Sequence, residues 1–195
     1  MNAITHRQRQ AIETKLKITR IAINLFKQRG FSDVTVRDIC TSASISIGTF
    51  YHHFESKEEI VNTSHRQMDR LWEERISNYE GVNTKEDIIF HFAEAGRLIQ
   101  ELGWDLAAAS YRQLITSHNK YAVQNDRPIS NVMRRIIGDA IASGSLPADT
   151  DQEEMIEVLI RCSRGVLFDW CLRNGEYDLP SKIRSDMTLV LNNFF

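Results

Sequence analysis

The chain has 195 residues, a hydrophobic fraction of 42%, a charged fraction of 26% and a formal net charge of -2. These values are ordinary for a globular protein and exclude collagen-like and low-complexity chains. No apolar run reaches the ~18 residues of a membrane span, and the first ten residues lack the apolar stretch of a signal peptide. The sequence therefore predicts a cytoplasmic protein that does not bind membranes.

Positive charge is concentrated toward the amino-terminal end. Residues 1–65 hold nine Lys or Arg against six Asp or Glu, and the remainder holds fifteen against twenty. Such an excess is expected if that end alone meets the phosphates of DNA. Chance fluctuation over a short segment explains this excess equally well, so charge alone does not show whether the segment binds DNA.

The cysteines and motifs argue against catalysis and metal binding. Cys40, Cys162 and Cys171 are odd in number and lie in helical patterns, which favours reduced thiols over a disulfide framework. Cys162 and Cys171 fall on opposite sides of a helix and cannot share a metal ion. The chain contains no G-x-S-x-G, phosphate-binding glycine loop or H-E-x-x-H. We expect neither a metal, a cofactor nor an enzymatic activity.

Apolar spacing predicts an all-α chain that opens with three helices. The first spans residues 13–29 and stops at Gly30, where a left-handed cap is expected. Thr35 starts a short second helix ending near residue 42, with Asp38 completing a capping box. Ser46 caps a third helix that runs to His52. The short link between the second and third helices forces a sharp crossing.

Longer helices follow. Ser56 and Glu59 form the pattern of a capping box at the start of a long fourth helix. Further helices are predicted at roughly 84–102, 104–119, 127–143, 152–174 and 179–193, separated by Gly and Pro.

The segment TVRDICTSASISIGTFYHHFESK, residues 35–57, is the most informative part of the chain. Its apolar residues are predicted to form a small core with the first helix; they are Ile39, Ile45, Phe50 and Phe54, packed on Ile21, Leu25 and Phe26. The third helix would then stand outward, at a size that enters the major groove of B-DNA. Gly48 costs about 1 kcal/mol in a helix relative to Ala, and close approach to another backbone would explain it.

These residues resemble the DNA-binding domain of the TetR (tetracycline-repressor-like) family over roughly residues 12–60. The matching positions are Phe26, Gly30, Thr35, Ile39, Ala43, Ile45, Ser46, Gly48, Thr49, Phe50, Tyr51, Phe54, Ser56 and Lys57. The resemblance implies an all-α subunit of about nine helices, a dimer formed by the last two long helices, and a small-molecule pocket in the carboxy-terminal part. Ser44 departs from the family, because glycine is usual at this turn and a left-handed serine costs about 1 kcal/mol.

The implied organisation is a helix-turn-helix DNA-binding domain at 1–58 and a helical regulatory and dimerisation domain at 59–195. The implied function is sequence-specific transcription regulation of a palindromic double-stranded operator by a homodimer, with repression relieved by a small-molecule effector. The alternatives are a helical interaction protein without DNA binding, or a regulator without an inducer, and activation stays open.

The resemblance also assigns DNA contacts, at Thr35, Arg37, Ser46, Ile47, Gly48, Thr49, Tyr51, His52 and Lys57. Arg37 suits guanine, and the hydroxyl groups suit phosphate. Thr35 as a cap only, and Lys57 as a solvated charge only, are the alternatives. Ile47 has core spacing to Phe50, but facing DNA it would contact a thymine methyl group and favour A·T.

The third helix holds no Lys or Arg, so phosphate affinity must come from Lys57, Arg37 and a basic arm, Arg7–Arg20, that could equally be disordered and idle.

The carboxy-terminal half offers a dimer surface and a ligand pocket. Residues 152–174 and 182–195 are apolar over more than one face, which fits either a four-helix dimer interface or an internal core, and Gly165 would allow close helix approach. The candidate pocket residues are Phe92, Trp104, Tyr111, Met133 and Phe168, with Arg97, Arg112 or His118 as polar partners. Ordinary core packing is the alternative for each.

Overall fold

The computed structural model describes residues 5–81, 84–116 and 121–195. Over these ranges it holds nine α-helices, a 3-10 turn at Tyr121–Val123 and no strand, which confirms the all-α class. The helices are α1 (His6–Arg29), α2 (Val36–Ala43), α3 (Ile47–His53), α4 (Lys57–Ile76), α5 (Thr84–Leu102), α6 (Trp104–Thr116), α7 (Pro128–Ala142), α8 (Gln152–Leu172) and α9 (Leu179–Leu191). None of them combines the length and apolar composition that crossing a bilayer requires.

The predicted helix bounds differ from the structure mainly at the ends. α1 starts at His6 and not at Glu13, because Thr5 and Gln8 form a capping box that apolar spacing does not reveal. Positions 117–119 of the predicted sixth helix, and His118 among the candidate polar partners, lie outside the described residues.

Local capping produces the two short helices as expected. The Thr35 side chain accepts a hydrogen bond from the Asp38 amide, and the Asp38 carboxylate accepts one from the Thr35 amide at 2.8 Å. Hydrogen bonds from Thr35, with Arg29 adding a smaller effect, lower the pKa of Asp38 to about 2. Ser44 has the left-handed conformation, with φ 53° and ψ 50°. The Ser46 hydroxyl accepts from the Thr49 amide at 3.0 Å and caps α3.

The predicted capping box at α4 is wrong. Ser56 precedes the helix, but its side chain makes no capping hydrogen bond. The Glu59 carboxylate reaches one residue further back and accepts from the Glu55 amide at 2.7 Å. Its other oxygen lies 3.5 Å from Lys15 of α1. Glu59 therefore contacts Glu55 and Lys15 and does not complete a capping box with Ser56.

The first of two apolar cores supports α3. As predicted, it contains buried Phe26, Ile39, Phe50 and Phe54, with Ile45 and Leu25 half-buried at its edge. Ile21 is half-buried outside this cluster. The core extends beyond the first three helices to include Ile60 and Val61 of α4 and Leu106 and Ala109 of α6. α6 therefore contributes to the support of the helix-turn-helix.

The second core joins α5, α7, α8 and α9, and Ala107 of α6 is buried in it as well. Most apolar residues of α8 and α9, which fitted either a dimer interface or an internal core, belong to this second core. They include Met155, Ile156, Leu159, Val166, Trp170, Ile183, Met187 and Leu191. Gly96 of α5 lies against Ile183 of α9, and a β-carbon at this position would collide with the Ile183 side chain. Gly165 instead faces open space, so the expected close helix contact there does not occur among the described residues.

Candidate nucleic-acid interface

The outer face of α3 is exposed along its length. Phe50 is fully buried and anchors the helix, while Ser46, Gly48 and His52 are exposed. Ile47 is 45% exposed and Tyr51 is 56% exposed. The core alternative for Ile47 is therefore excluded, because its side chain faces solvent beside the helix start.

Gly48 has no side chain, so the backbone of α3 is exposed at this position. A β-carbon at this position would lie 3.7 Å from the Ser46 hydroxyl and near nothing else in the described part of the chain. The half-buried Thr49 holds its hydroxyl 2.8 Å from that of Ser46. The close approach to another backbone that would explain the glycine therefore does not occur among the described residues.

Thr35 and Arg37 stand at the start of α2, and both are exposed. The Thr35 hydroxyl is engaged in the capping box with Asp38. The Arg37 guanidinium makes no ion pair and no hydrogen bond with the residues that the structure describes. Arg37 is therefore the cation of this segment with all its donors available.

Lys57 has an internal role that its sequence position does not reveal. Its ammonium donates to the Phe31 carbonyl at 2.7 Å and to the Val34 carbonyl at 2.8 Å, and it lies 4.4 Å from the centre of the Phe31 ring. These contacts tie the first turn of α4 to the segment between α1 and α2. At most one ammonium hydrogen stays available to a phosphate.

Two histidines end α3. His52 is exposed, whereas His53 is half-buried with its ring 5.1 Å from that of His52. Burial, followed by the charges of His52 and Lys15, lowers the pKa of His53. His52 is thus the one of the pair that is placed to meet a partner.

An open groove of about 340 Å³ separates α6 from α8. It brings together three of the five predicted pocket residues and the polar partner Arg112; the lining is Ser32, Trp104, Asp105, Ala108, Tyr111, Arg112, Ile115, Phe168, Cys171 and Leu172. Phe92 and Met133 lie instead in the second core, at 1% and 0% exposure. Arg97 is paired with Glu94 at 3.0 Å, away from the groove.

Contacts with the rest of the protein hold two aromatic side chains of the groove, and one arginine of its lining has no partner among the described residues. The Tyr111 hydroxyl donates to the Arg164 carbonyl at 3.0 Å, and burial raises the pKa of Tyr111. Trp104 packs against Gly175, where a β-carbon would lie 3.1 Å from the indole ring. The Arg112 guanidinium is exposed and has no ionic or hydrogen-bonding partner among the described residues.

The sequence analysis did not identify six of the ten lining residues. The α6 residues of the groove follow a helical stripe, positions 104, 105, 108, 111, 112 and 115, and this spacing could have identified them. Ser32, between α1 and α2, carries no comparable signal. The three cysteines are free, as predicted, and burial raises the pKa of Cys171 in the groove wall to about 11.

A small apolar bundle that presents an exposed, glycine-bearing helix behind a sharp turn defines a helix-turn-helix DNA-binding protein. The family model described as "Bacterial regulatory proteins, tetR family" matches residues 18–63. The HTH-type transcriptional repressor KstR2 of Rhodococcus jostii is 46% identical over 198 residues, covering 91% of this chain and 89% of KstR2. The chain therefore belongs to the TetR family of bacterial regulatory proteins, as the resemblance implied.

Other relatives are similar over a shorter segment or at a lower sequence identity. UidR of Escherichia coli K12 is 41% identical over 54 residues, and the match spans only 28% of either protein. A TetR-family regulator from Pectobacterium atrosepticum has the same fold, with a TM-score of 0.73 and 18% identity over 96% of this chain and 97% of its own. FadR of Thermus thermophilus, solved with lauroyl-CoA, has a TM-score of 0.64 and 20% identity over 93% of this chain and 95% of its own.

Family membership makes the protein a DNA-binding transcription regulator and not an enzyme.

Proposed function

We propose that the protein is a repressor that binds a palindromic operator as a homodimer and leaves it when a small molecule occupies the groove between α6 and α8. The observation that carries the proposal is the exposed, glycine-bearing face of α3, a helix capped by Ser46 and anchored in the first core by Phe50. KstR2 is named as a repressor, which supports repression over activation. On this proposal residues 1–58 bind DNA, residues 59–195 regulate and dimerise, and the protein acts in the cytoplasm.

The DNA contacts divide into base reading and phosphate binding. Arg37, with every donor available, reads guanine, and Ile47 contacts a thymine methyl group. Thr49, Tyr51 and His52 bind phosphates while Gly48 lets the α3 backbone approach the duplex.

Further contacts lie at the margins of α3. The Ser46 hydroxyl accepts from the Thr49 amide and can still donate to a phosphate, and Lys57 offers its remaining donor. The Thr35 hydroxyl already donates to Asp38, so Thr35 contacts a phosphate only by exchanging that hydrogen bond. Arg7 and Arg9 are exposed on the first turn of α1 and add charge beside the duplex.

Titration of purified protein into random duplexes, followed by selection of a tight site, tests DNA binding. We expect affinity to fall steeply with salt, because each neutralised phosphate releases counterions. Salt-insensitive retention, or no preferred sequence after selection, would favour the alternative of an interaction protein.

A homodimer is supported by apolar side chains that one chain leaves uncovered. Leu189 is 64% exposed on α9, Phe195 is 40% exposed, and Gly165 is open on α8. To read a palindromic operator, the two recognition helices of such a dimer must lie about 34 Å apart, one DNA turn. Light scattering should show a dimer that Leu189→Glu weakens, and a monomeric wild-type chain at working concentration would contradict the proposal.

The groove selects an effector with an apolar body and an anionic group. Aromatic walls bind the body, and the unpaired Arg112 binds the anion. Lauroyl-CoA, the molecule bound in the FadR structure from Thermus thermophilus, combines an acyl chain with an anionic carrier and is a sensible first compound to test.

Operator release measured with lauroyl-CoA, laurate and aromatic carboxylates tests this class. Arg112→Gln should weaken release, whereas Arg135→Gln, an exposed arginine outside the groove, should not. If both variants are released from the operator equally well by the effector, Arg112 does not bind the effector's anionic group.

A further inference from the structure

We propose that Asp105 is the positioning residue that couples the groove between α6 and α8 to the recognition helix. The inference rests on the proposed function, because it requires both an operator and an occupied groove. Asp105 lines the groove and at the same time holds the turn that leads into the helix-turn-helix.

The Asp105 carboxylate joins two parts of the molecule. One oxygen accepts a hydrogen bond from the Leu106 amide at 2.9 Å, which keeps the side chain folded over the start of α6. The other accepts from the amide of Phe31, in the turn between α1 and α2. Hydrogen bonds to an ionised carboxylate are roughly twice as strong as neutral ones. The position of the turn is therefore tied to the position of α6.

The same turn is held from its other side by Lys57. The Lys57 ammonium bonds the carbonyls of Phe31 and Val34, and the Phe31 ring packs edge-on against Phe26 at 4.9 Å. Gly30 has φ 84°, and a β-carbon there would lie 3.1 Å from an Asp105 oxygen. The turn therefore has little freedom to move unless α6 moves with it.

A groove occupant would touch both ends of this connection. Ser32 belongs to the turn and Asp105 to α6, and both line the groove. The turn continues into Thr35, the cap of α2, and α2 packs on α3 in the first core. An occupant that displaces α6 then has a direct route to α3, and coupling requires only that the two arrangements differ in operator affinity.

Filling the groove by mutation tests this without an identified effector. Ala108 lines the groove, so Ala108→Trp imitates occupancy, and Ala142→Trp places the same side chain at an exposed end of α7. Operator affinity is measured for each in the wild-type background and with Asp105→Ala. We expect Ala108→Trp to weaken binding about tenfold in the wild type, and Ala142→Trp to leave it unchanged.

In the Asp105→Ala background the filling substitution should weaken binding less than about twofold. Asp105→Asn keeps one acceptor oxygen for the Phe31 amide and should restore part of the coupling, which loss of fold would not do. An equal loss with and without Asp105, or no loss in the wild type, would overturn the inference. A wild-type chain that binds no operator would instead overturn the proposed function.

A reciprocal measurement covers the case in which Ala108→Trp does not fold. Trp104 is 39% exposed in the groove, whereas Trp72 and Trp170 are each 3% exposed, so acrylamide quenching of fluorescence reports mainly Trp104. Operator binding should change this quenching in the wild type and not in Asp105→Ala, because coupling is mutual. Unchanged quenching in the wild type would contradict the coupling.

Discussion

The face of α3 and the groove beside α6 are assembled in different ways. The first comes from one continuous segment, residues 35–57, whose caps and turns are satisfied by neighbours a few positions away. The second is formed by Ser32, by α6 and by α8, so its lining is drawn from three separate segments between positions 32 and 172 of the chain. Local patterns therefore describe the first surface and only part of the second.

The two surfaces nevertheless share support. α6 lines the groove with one side and contributes Leu106 and Ala109 to the first core with another. On the proposed function, the part that senses a ligand is packed directly on the part that binds DNA. Substitutions in each region can measure whether the two surfaces depend on each other for stability and for binding.

The largest expected effect comes from emptying the core under α3. Phe50→Ala should lower the free energy of unfolding by about 3–5 kcal/mol, and Met133→Ala in the second core by about 2–5 kcal/mol. Both side chains are 0% exposed. Because α6 joins the cores, urea unfolding followed by circular dichroism should show one shared transition for either variant. Two separate transitions would show that the regions unfold independently.

The next largest effect concerns the cation of the DNA-facing surface. Arg37→Gln should cost about 1–3 kcal/mol on the selected operator and relax preference at one base pair. Tyr51→Phe should weaken all duplexes alike, because a phosphate contact carries no sequence information. Arg135→Gln removes the same charge far from this face and serves as the control. An equal loss on selected and random duplexes by Arg37→Gln would exclude base reading.

A smaller effect is expected at the turn between α2 and α3. Ser44 is left-handed, so Ser44→Gly should stabilise the protein by up to about 1 kcal/mol. Ser42→Gly, an exposed position within α2, should instead destabilise it by roughly half that amount, because glycine is a poor helix former. Thermal unfolding of the two variants checks the opposite signs. The same sign for both would show that the turn is not strained.

The smallest expected effect is a pH dependence of stability that arises from His91 of α5. His91 is 4% exposed, and its Nδ1 atom makes no hydrogen bond with the described residues. Burial lowers the pKa of His91 below its ordinary value of 6.5, and the charge of Asp87 only partly opposes this. The unfolded chain therefore takes up a proton before the folded one does, and stability falls as pH drops below 6.5.

His91→Phe should remove this part of the acid sensitivity, as measured by urea unfolding at a series of pH values. An unchanged slope in the variant would assign the sensitivity to other groups.

Sequence patterns predicted the helices apart from the start of α1, the caps at Thr35 and Ser46, the left-handed turn at Ser44 and the apolar residues under α3. Each depends on neighbours within a few positions, where spacing and side-chain chemistry are sufficient. The sequence also indicated the family, because the matching residues lie in order within one short segment, residues 26–57.

Several contacts of the DNA-binding segment depend on packing between distant parts of the chain. Glu59 lies 3.5 Å from Lys15, the Lys57 ammonium donates to the Phe31 and Val34 carbonyls, and Ile47 is exposed.

The same is true of the candidate pocket residues. Trp104, Tyr111 and Phe168 line the groove, whereas Phe92 and Met133 are buried in the second core. Apolar residues with the same helical spacing can face a neighbour or an opening, and only the packing of distant helices distinguishes the two.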